Sequence, residues 1–265
     1  MQGAGHRHRR PQLLLWGCDD LTNWVPLGAL LTDDDPVAAE VAPANIWECP
    51  NLSVIDVYWV LLVSLWRWRD DTHELAGVRY LVGDLVPAGP GLRFRASSGG
   101  LVDTGTAFYA PQLLAEAGRT LLWGWAWEVD RSDEQLKASG WAGTLTFPRE
   151  LSVRDGVLRS VPAAELLALR REEVPCRRGT PVVEAAFEVL ARGPVRLLRT
   201  GTPHRGAVLE TVGTRDEPAR ILVDGSIVET FAAGAAATDR IYPGAGTGWL
   251  VEADAADVTV FRLGH

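Results

Sequence analysis

The sequence predicts an all-β protein of two domains, and three observations carry that expectation. Short runs of β-forming residues recur between turn formers, one of those runs is apolar without alternation, and tryptophan usage changes sharply past the middle of the chain. The 265 residues are 47% hydrophobic and 23% charged, with 27 Gly and 16 Pro, a balance that excludes disorder and collagen-like repeats. That length suits either one large all-β domain or two domains of roughly 100 to 150 residues.

The β-type runs are, in order, Leu13–Trp16, Val57–Leu65, Val78–Val82, Thr120–Trp127, Thr144–Phe147, Ile221–Phe231 and Gly248–Leu263. Such spacing belongs to sandwiches, barrels and propellers. Val57-Tyr-Trp-Val-Leu-Leu-Val63 does not alternate, as expected of a strand covered on both faces. In Arg220–Phe231, Asp224-Gly225 supplies the positive φ angles of a two-residue hairpin turn. A second hairpin is expected from Gly248–Glu252 and Asp257–Leu263, joined across Ala253 to Ala256.

One segment reads as helix. Pro162–Arg171 opens with Pro, continues in strong helix formers and ends in Arg residues that suit the negative end of a helix dipole. Ten of the eleven Trp lie at or before Trp141, and only Trp249 follows. The shift in composition beside this helix places a domain boundary near residues 155–175. The expected division is a first β domain over 1–158, a helical linker over 159–172 and a second β domain over 173–265.

Charge narrows the function classes. There are 34 acidic and 26 basic residues, a net charge of −8, and every base except Lys137 is Arg. The one basic cluster, His6-Arg-His-Arg-Arg10, reads as a solvated tail, so no nucleic-acid partner is expected. No apolar run approaches the ~18 residues of a membrane span, so no membrane partner is expected either. Cys18, Cys49 and Cys176 are widely spaced and odd in number, which provides no disulfide framework. The five His, at 6, 8, 73, 204 and 265, lack any metal-ligand spacing, so neither metal nor cofactor is expected.

Trp47-Glu48-Cys49-Pro50 sets an acid among apolar neighbours, with a Pro that fixes the backbone. Desolvation of this kind favours a protonated carboxyl, the state a general acid needs. Taken alone among 34 acidic residues, Glu48 reads first as a surface or strand-end acid and only second as a general acid.

Several segments taken together resemble glycoside hydrolase family 32, the invertase, levanase and inulinase group. Asp19-Asp-Leu-Thr-Asn-Trp24 is similar to that family's S-x-D-L-x-x-W turn, and Ile46-Trp-Glu-Cys-Pro-Asn-Leu52 to its E-C-P box. Asp103-Thr-Gly-Thr-Ala-Phe-Tyr-Ala-Pro-Gln112, followed by Leu122-Trp-Gly-Trp125, resembles its D-x-G-x-D-F-Y-A-P-Q and G-W stretch. Gly143–Leu151 resembles its L-P-R-E-L box, and Gly225–Glu229 through Tyr242-Pro243 the end of its C-terminal sandwich. The resemblance implies a five-bladed β-propeller followed by a β-sandwich, and retaining hydrolysis of β-fructofuranosides such as sucrose or a fructan. It implies Glu48 as acid/base, and Trp47, Cys49, Asp103, Tyr109 and Trp125 as substrate contacts. For Asp103, Tyr109 and Trp125 a place in the propeller core is the equal alternative.

The chain also departs from the family pattern. The family's W-x-N-D-P segment, which carries the nucleophile, and its R-D-P segment do not occur, and Ala107 stands where a second acid is usual. Arg69-Asp70-Asp71 follows Glu48 and lacks the Pro, so it is not the R-D-P segment. The expectation is a propeller lacking its first half and inactive as it stands. A non-catalytic carbohydrate-binding protein and a product without a stable fold are the alternatives.

Overall fold

The computed structural model of the protein describes residues 2–6, 9–176, 182, 184–200, 207–242, 248–254 and 257–264. The chain divides into two compact units, one formed by residues 1–103, 108–125 and 149–160, the other by 104–107, 126–148 and 161–265. Among the described residues, no helix is long and apolar enough to cross a membrane.

In the first unit, β1 (Gln2–His6), β2 (Arg9–Gly17) and β3 (Val25–Thr32) form a three-stranded antiparallel sheet. The expected basic tail is therefore partly a strand, because Gln2–His6 pairs along the apolar β2, with Gly3 opposite Leu13. Arg7 and His8 lie outside the described residues. Arg10 is spent on ion pairs with Asp33 at 2.6 Å and Asp34 at 2.8 Å.

Helix α1 (Pro36–Val41) follows, capped by Asp35, whose Oδ1 accepts from the amides of Val37 and Ala38 at 3.0 Å. Next come β4 (Ile46–Ile55), β5 (Tyr58–Arg69), β6 (Thr72–Ala88) and β7 (Gly91–Leu101), a four-stranded antiparallel meander in sequence order. This is the form of a propeller blade. Val60 through Leu65 of β5 are all buried, as the non-alternating run predicts for an inner strand, but the start of that run is not covered: Val57 precedes the strand and is 84% exposed, and Trp59 is 36% exposed. Leu13, Leu30, Leu31, Trp47, Leu61, Leu81 and Phe94 belong to one apolar core shared by these elements.

Strands β8 (Phe108–Glu116) and β9 (Arg119–Ala126) come next. Helix α2 (Asp133–Ser139) and β10 (Thr144–Leu145) belong to the second unit, after which β11 (Arg149–Arg154) and β12 (Val157–Pro162) follow. β9 lies between β8 and β11, and β11 pairs with β12. Gly124 is required in β9, since a Cβ there would stand 2.2 Å from the Phe108 ring.

The expected helix over Pro162–Arg171 is a 3-10 helix over Ala164–Leu169, because Pro162 still belongs to β12 and Arg170 opens β13 (Arg170–Val174). The remaining strands are β14 (Ala186–Ala191), β15 (Pro194–Arg199), β16 (Ala207–Val212), β17 (Ala219–Asp224), β18 (Ile227–Ala232), β19 (Ala235–Arg240), β20 (Trp249–Ala253) and β21 (Val258–Leu263). They form a six-stranded sheet, β13-β21-β14-β17-β18-β19, and a three-stranded sheet, β16-β15-β20. Phe187, Val189, Ile221, Val260, Leu197, Trp249 and Val251 from the two sheets share one core, which makes the pair a sandwich.

Two hairpin expectations need correction. In β17–β18, Asp224 pairs with Ile227, so the loop is Gly225-Ser226; Gly225 takes φ 55° and Asp224 remains in the ladder. β20 and β21 are strands as expected but not a hairpin. β20 pairs with β15, and β21 pairs with β13 and β14 in the other sheet. Trp249 of β20 and Val260 of β21 thus reach one core from two different sheets. Ala255 and Ala256 of that connection lie outside the described residues, as does Pro243.

Within the six-stranded sheet, Glu188 is fully buried between two arginines. Arg170 reaches it with contacts of 2.6 and 2.9 Å, and Arg220 closes on the same carboxylate. Burial pushes this carboxyl upward, but the hydrogen bonds and charges of Arg170 and Arg220 more than reverse that, leaving its pKa below the ordinary value. A depressed pKa contributes stability above the unfolded-state value, about 4.5, and that contribution fades as pH falls through the folded-state value. We expect thermal unfolding followed from pH 7 to pH 3 to show a Tm that drops below about pH 4.5, with a shallower drop in Glu188→Gln; parallel profiles would remove Glu188 from the account.

Candidate active site

Glu48 lies in β4 directly opposite Ser64 of β5, and just beyond it the ladder slips between Glu48 and Asn51. Cys49, inside the slip, takes a left-handed φ of 47° immediately before Pro50. Strand β8 repeats the device: Tyr109 is followed by Ala110 at φ 45° and then by Pro111. Left-handed non-glycine residues are sparse and costly, and a bulge re-aims the side chain beside it. Here the two kinks flank the two polar side chains that meet.

Tyr109 Oη donates to Glu48 Oε2 at 2.9 Å. Tyr109 is 3% exposed while Glu48 is half-buried, so the carboxyl is held at Oε2 in a residue that solvent still reaches. Burial pushes the Tyr109 phenol well above its ordinary range, and the hydrogen bond to Glu48 followed by the charges of Glu48 and Cys49 push it the same way. At neutral pH it is therefore a fixed donor. Cys49, although exposed, is partly desolvated by its neighbours, and this, followed by the Glu48 charge, raises its pKa and keeps it a thiol.

The supporting contacts come from residues that the sequence reading did not single out. The Ala110 amide donates to Ser64 Oγ at 3.2 Å, and Ser64 is fully buried. Asn51 Nδ2 donates to the carbonyls of Cys49 and Pro111, each at 2.9 Å, and Asn51 Oδ1 accepts from the Leu113 amide at 3.3 Å.

The other expected contacts are placed differently. Trp47 alternates to the face opposite Glu48, where it is fully buried in the core and its Nε1 donates to the Ala42 carbonyl at 2.8 Å. It is a packing residue, and the apolar setting inferred for Glu48 from this neighbour is not its immediate one. Asp103 closes on Arg149 at 2.7 Å with both side chains inaccessible to solvent, so it too is structural. Trp125 is 40% exposed on β9, and Cys49 is exposed. The structure thus brings together Glu48, Cys49 and Tyr109, and turns Trp47 and Asp103 to other tasks.

Residues 1–162 match the family description "Glycosyl hydrolases family 32 N-terminal domain". The chain belongs to glycosyl hydrolases family 32. Among its relatives, a sucrose-6-phosphate hydrolase of Vibrio alginolyticus is 31% identical over 177 residues, which are 65% of this chain and 35% of that protein. A raffinose invertase of Escherichia coli is 42% identical over 143 residues, 52% of this chain and 28% of that one. The chain therefore spans about a third of the length of the curated relatives it matches.

The family 32 β-fructofuranosidase BmSUC1 of Bombyx mori aligns in structure over 98% of this chain and 62% of its own, with a TM-score of 0.76 at 23% identity. A sucrose-6-phosphate hydrolase of Lactobacillus gasseri covers 96% and 61%, with a TM-score of 0.70 at 18% identity. The fold of this family 32 chain is accordingly an all-β propeller part followed by a sandwich. Two of the segments that carried the resemblance now have physical tasks. The D-x-G Asp103 and the P-R-E-L Arg149 are the two halves of one buried ion pair, and the Arg149 guanidinium lies 4.6 Å from the centre of the Phe108 ring.

Proposed function

We propose that this chain carries the acid/base carboxyl of a retaining glycoside hydrolase acting on β-fructofuranosides, sucrose or a fructan, and that Glu48 is that residue. The observation that supports it is the held and half-buried carboxyl. Tyr109 occupies Oε2, and among the described residues that is the one side-chain hydrogen bond of Glu48, which leaves Oε1 for a glycosidic oxygen. The relatives named as sucrose-6-phosphate hydrolases and a raffinose invertase favour a fructoside as the substrate class.

In such a reaction Glu48 protonates the leaving-group oxygen while a second carboxylate attacks the anomeric carbon. Glu48 then takes a proton from the water that releases fructose. The two carboxyl groups stand about 5–5.5 Å apart in retaining enzymes. The W-x-N-D-P segment that carries the nucleophile in the resemblance is not among the 265 residues, so the attacking group is left unassigned.

That same gap favours a second reading, sugar binding without turnover. The sandwich offers this reading little, since Trp249, its aromatic candidate, is 6% exposed and packs against Phe187 in the core. Turnover requires another carboxylate of this chain to act as the attacking group, so the purified chain, against the inactivity expected from its sequence, should release fructose from sucrose, raffinose or inulin in a coupled assay. Heat on titration without released fructose would favour the binding reading, and neither signal would remove both.

A further inference from the structure

The two kinked turns are copies of one local pattern. Glu48-Cys-Pro-Asn51 and Tyr109-Ala-Pro-Gln112 each run as a polar side chain, a left-handed non-glycine residue, a proline and a carboxamide. A residue before proline is already restricted in its backbone, and a left-handed φ there is held by its surroundings rather than chosen by the chain. The surroundings include Asn51. Its amide nitrogen is shared by the carbonyl of Cys49, within its own turn, and the carbonyl of Pro111, in the other turn; its oxygen takes the Leu113 amide. One side chain therefore makes three hydrogen bonds, two of them across to β8, and these link the backbones behind Glu48 and Tyr109.

We infer that Asn51 is a positioning residue of the Glu48 site: it holds the two turns in the register that puts Tyr109 Oη within hydrogen-bond reach of Glu48. The role rests on the reading of Glu48 as acid/base, and acts through the 2.9 Å Tyr109–Glu48 contact, not through any contact of Asn51 with substrate. Ser64 fixes only the near side of the Tyr109 turn, through the Ala110 amide. Asn51 is the residue whose side chain bonds to both turns.

Two measurements on the full chain test this. In crystal structures, Asn51→Ala is expected to lose the Tyr109–Glu48 hydrogen bond with the strands of both sheets retained; a bond kept at its present length overturns the inference. Asn51→Ser serves if the alanine variant does not fold, since a hydroxyl is too short to span to Pro111; it carries the same expectation. In fructose release, Asn51→Ala should lower kcat about 10–100-fold with KM within about two-fold, the scale of a small misplacement of a catalytic group. Tyr109→Phe should cost about ten-fold alone and much less in the Asn51→Ala background, because the contact it removes is already lost. Additive losses, or a drop in Tm with kcat unchanged, would make Asn51 merely structural. A wild-type chain that releases no fructose would count against the function proposed above, and the crystal structures would still decide the role of Asn51.

Discussion

Glu48→Gln is expected to lower sucrose hydrolysis by about 10²–10⁴-fold, the range that a positioned general acid contributes. The amide is nearly isosteric and its oxygen can still accept from Tyr109 Oη, so the turn behind it should stand and Tm should move little. A missing acid also leaves a specific kinetic signature. Sucrose needs protonation of its leaving oxygen, whereas an aryl β-fructofuranoside departs as a stable phenolate, and the variant should lose much less rate on the aryl substrate. Equal losses on both would indicate damage to binding or geometry in place of lost proton donation. A variant that kept its sucrose rate within two-fold would end the assignment of Glu48.

The largest expected loss of stability lies at Asp103–Arg149. Arg149→Met should cost about 3–5 kcal/mol, the scale for removing one partner of a buried ion pair, because the Asp103 carboxyl, 1% exposed, would lose the guanidinium that closes on it at 2.7 Å. Against a typical total of about 5–15 kcal/mol this is a large share. The double variant Asp103→Leu/Arg149→Met should recover part of the loss, since neither half of the ion pair then stays behind in the interior. Urea unfolding of the two variants beside the unsubstituted chain checks both statements. If Asp103 were a substrate contact, as the resemblance implies, its loss would raise KM and spare stability; the geometry predicts the reverse.

Much of the fold was legible in the sequence. Runs of β-forming residues marked nine of the 21 described strands, and the apolar run that ends in Val60–Val63 marked the inner strand β5, because burial on both faces leaves a direct trace in residue type. Pairing left less trace. Trp249–Ala253 and Val258–Leu263 read as a hairpin because they are close in sequence, but which sheet a strand joins depends on the edge it finds elsewhere in the chain. Two short helices escaped, although Asp35-Pro36 and the Ser132/Gln135 capping box are start signals and Gly140, at φ 73°, is a stop signal. Six or seven residues supply too few turns for periodicity to register.

The site divides similarly. Glu48 and Tyr109 came from the quoted motifs, and the structure joins them. Trp47 lies in the core instead of beside Glu48 because adjacency in a strand means opposite faces, a consequence of the two-residue period that motif matching ignores. Ser64 had a visible signal, a lone hydroxyl inside an apolar run, where a buried polar group needs a partner. Asn51 had none, since its three hydrogen bonds depend on where β8 lands beside β4.

The place of β21 in its sheet also bears on how the sandwich is made. Val258–Leu263 inserts between β13 and β14, two strands synthesised well before it. At about 5–20 residues per second, β14 waits several seconds on the ribosome with one edge open. An open edge is a template for pairing with another chain. The second unit must therefore complete its sheet after Leu263 has emerged, and a messenger cut short before Val258 would yield a chain with β13 and β14 both unpaired on that side, prone to join its neighbours before it can join itself.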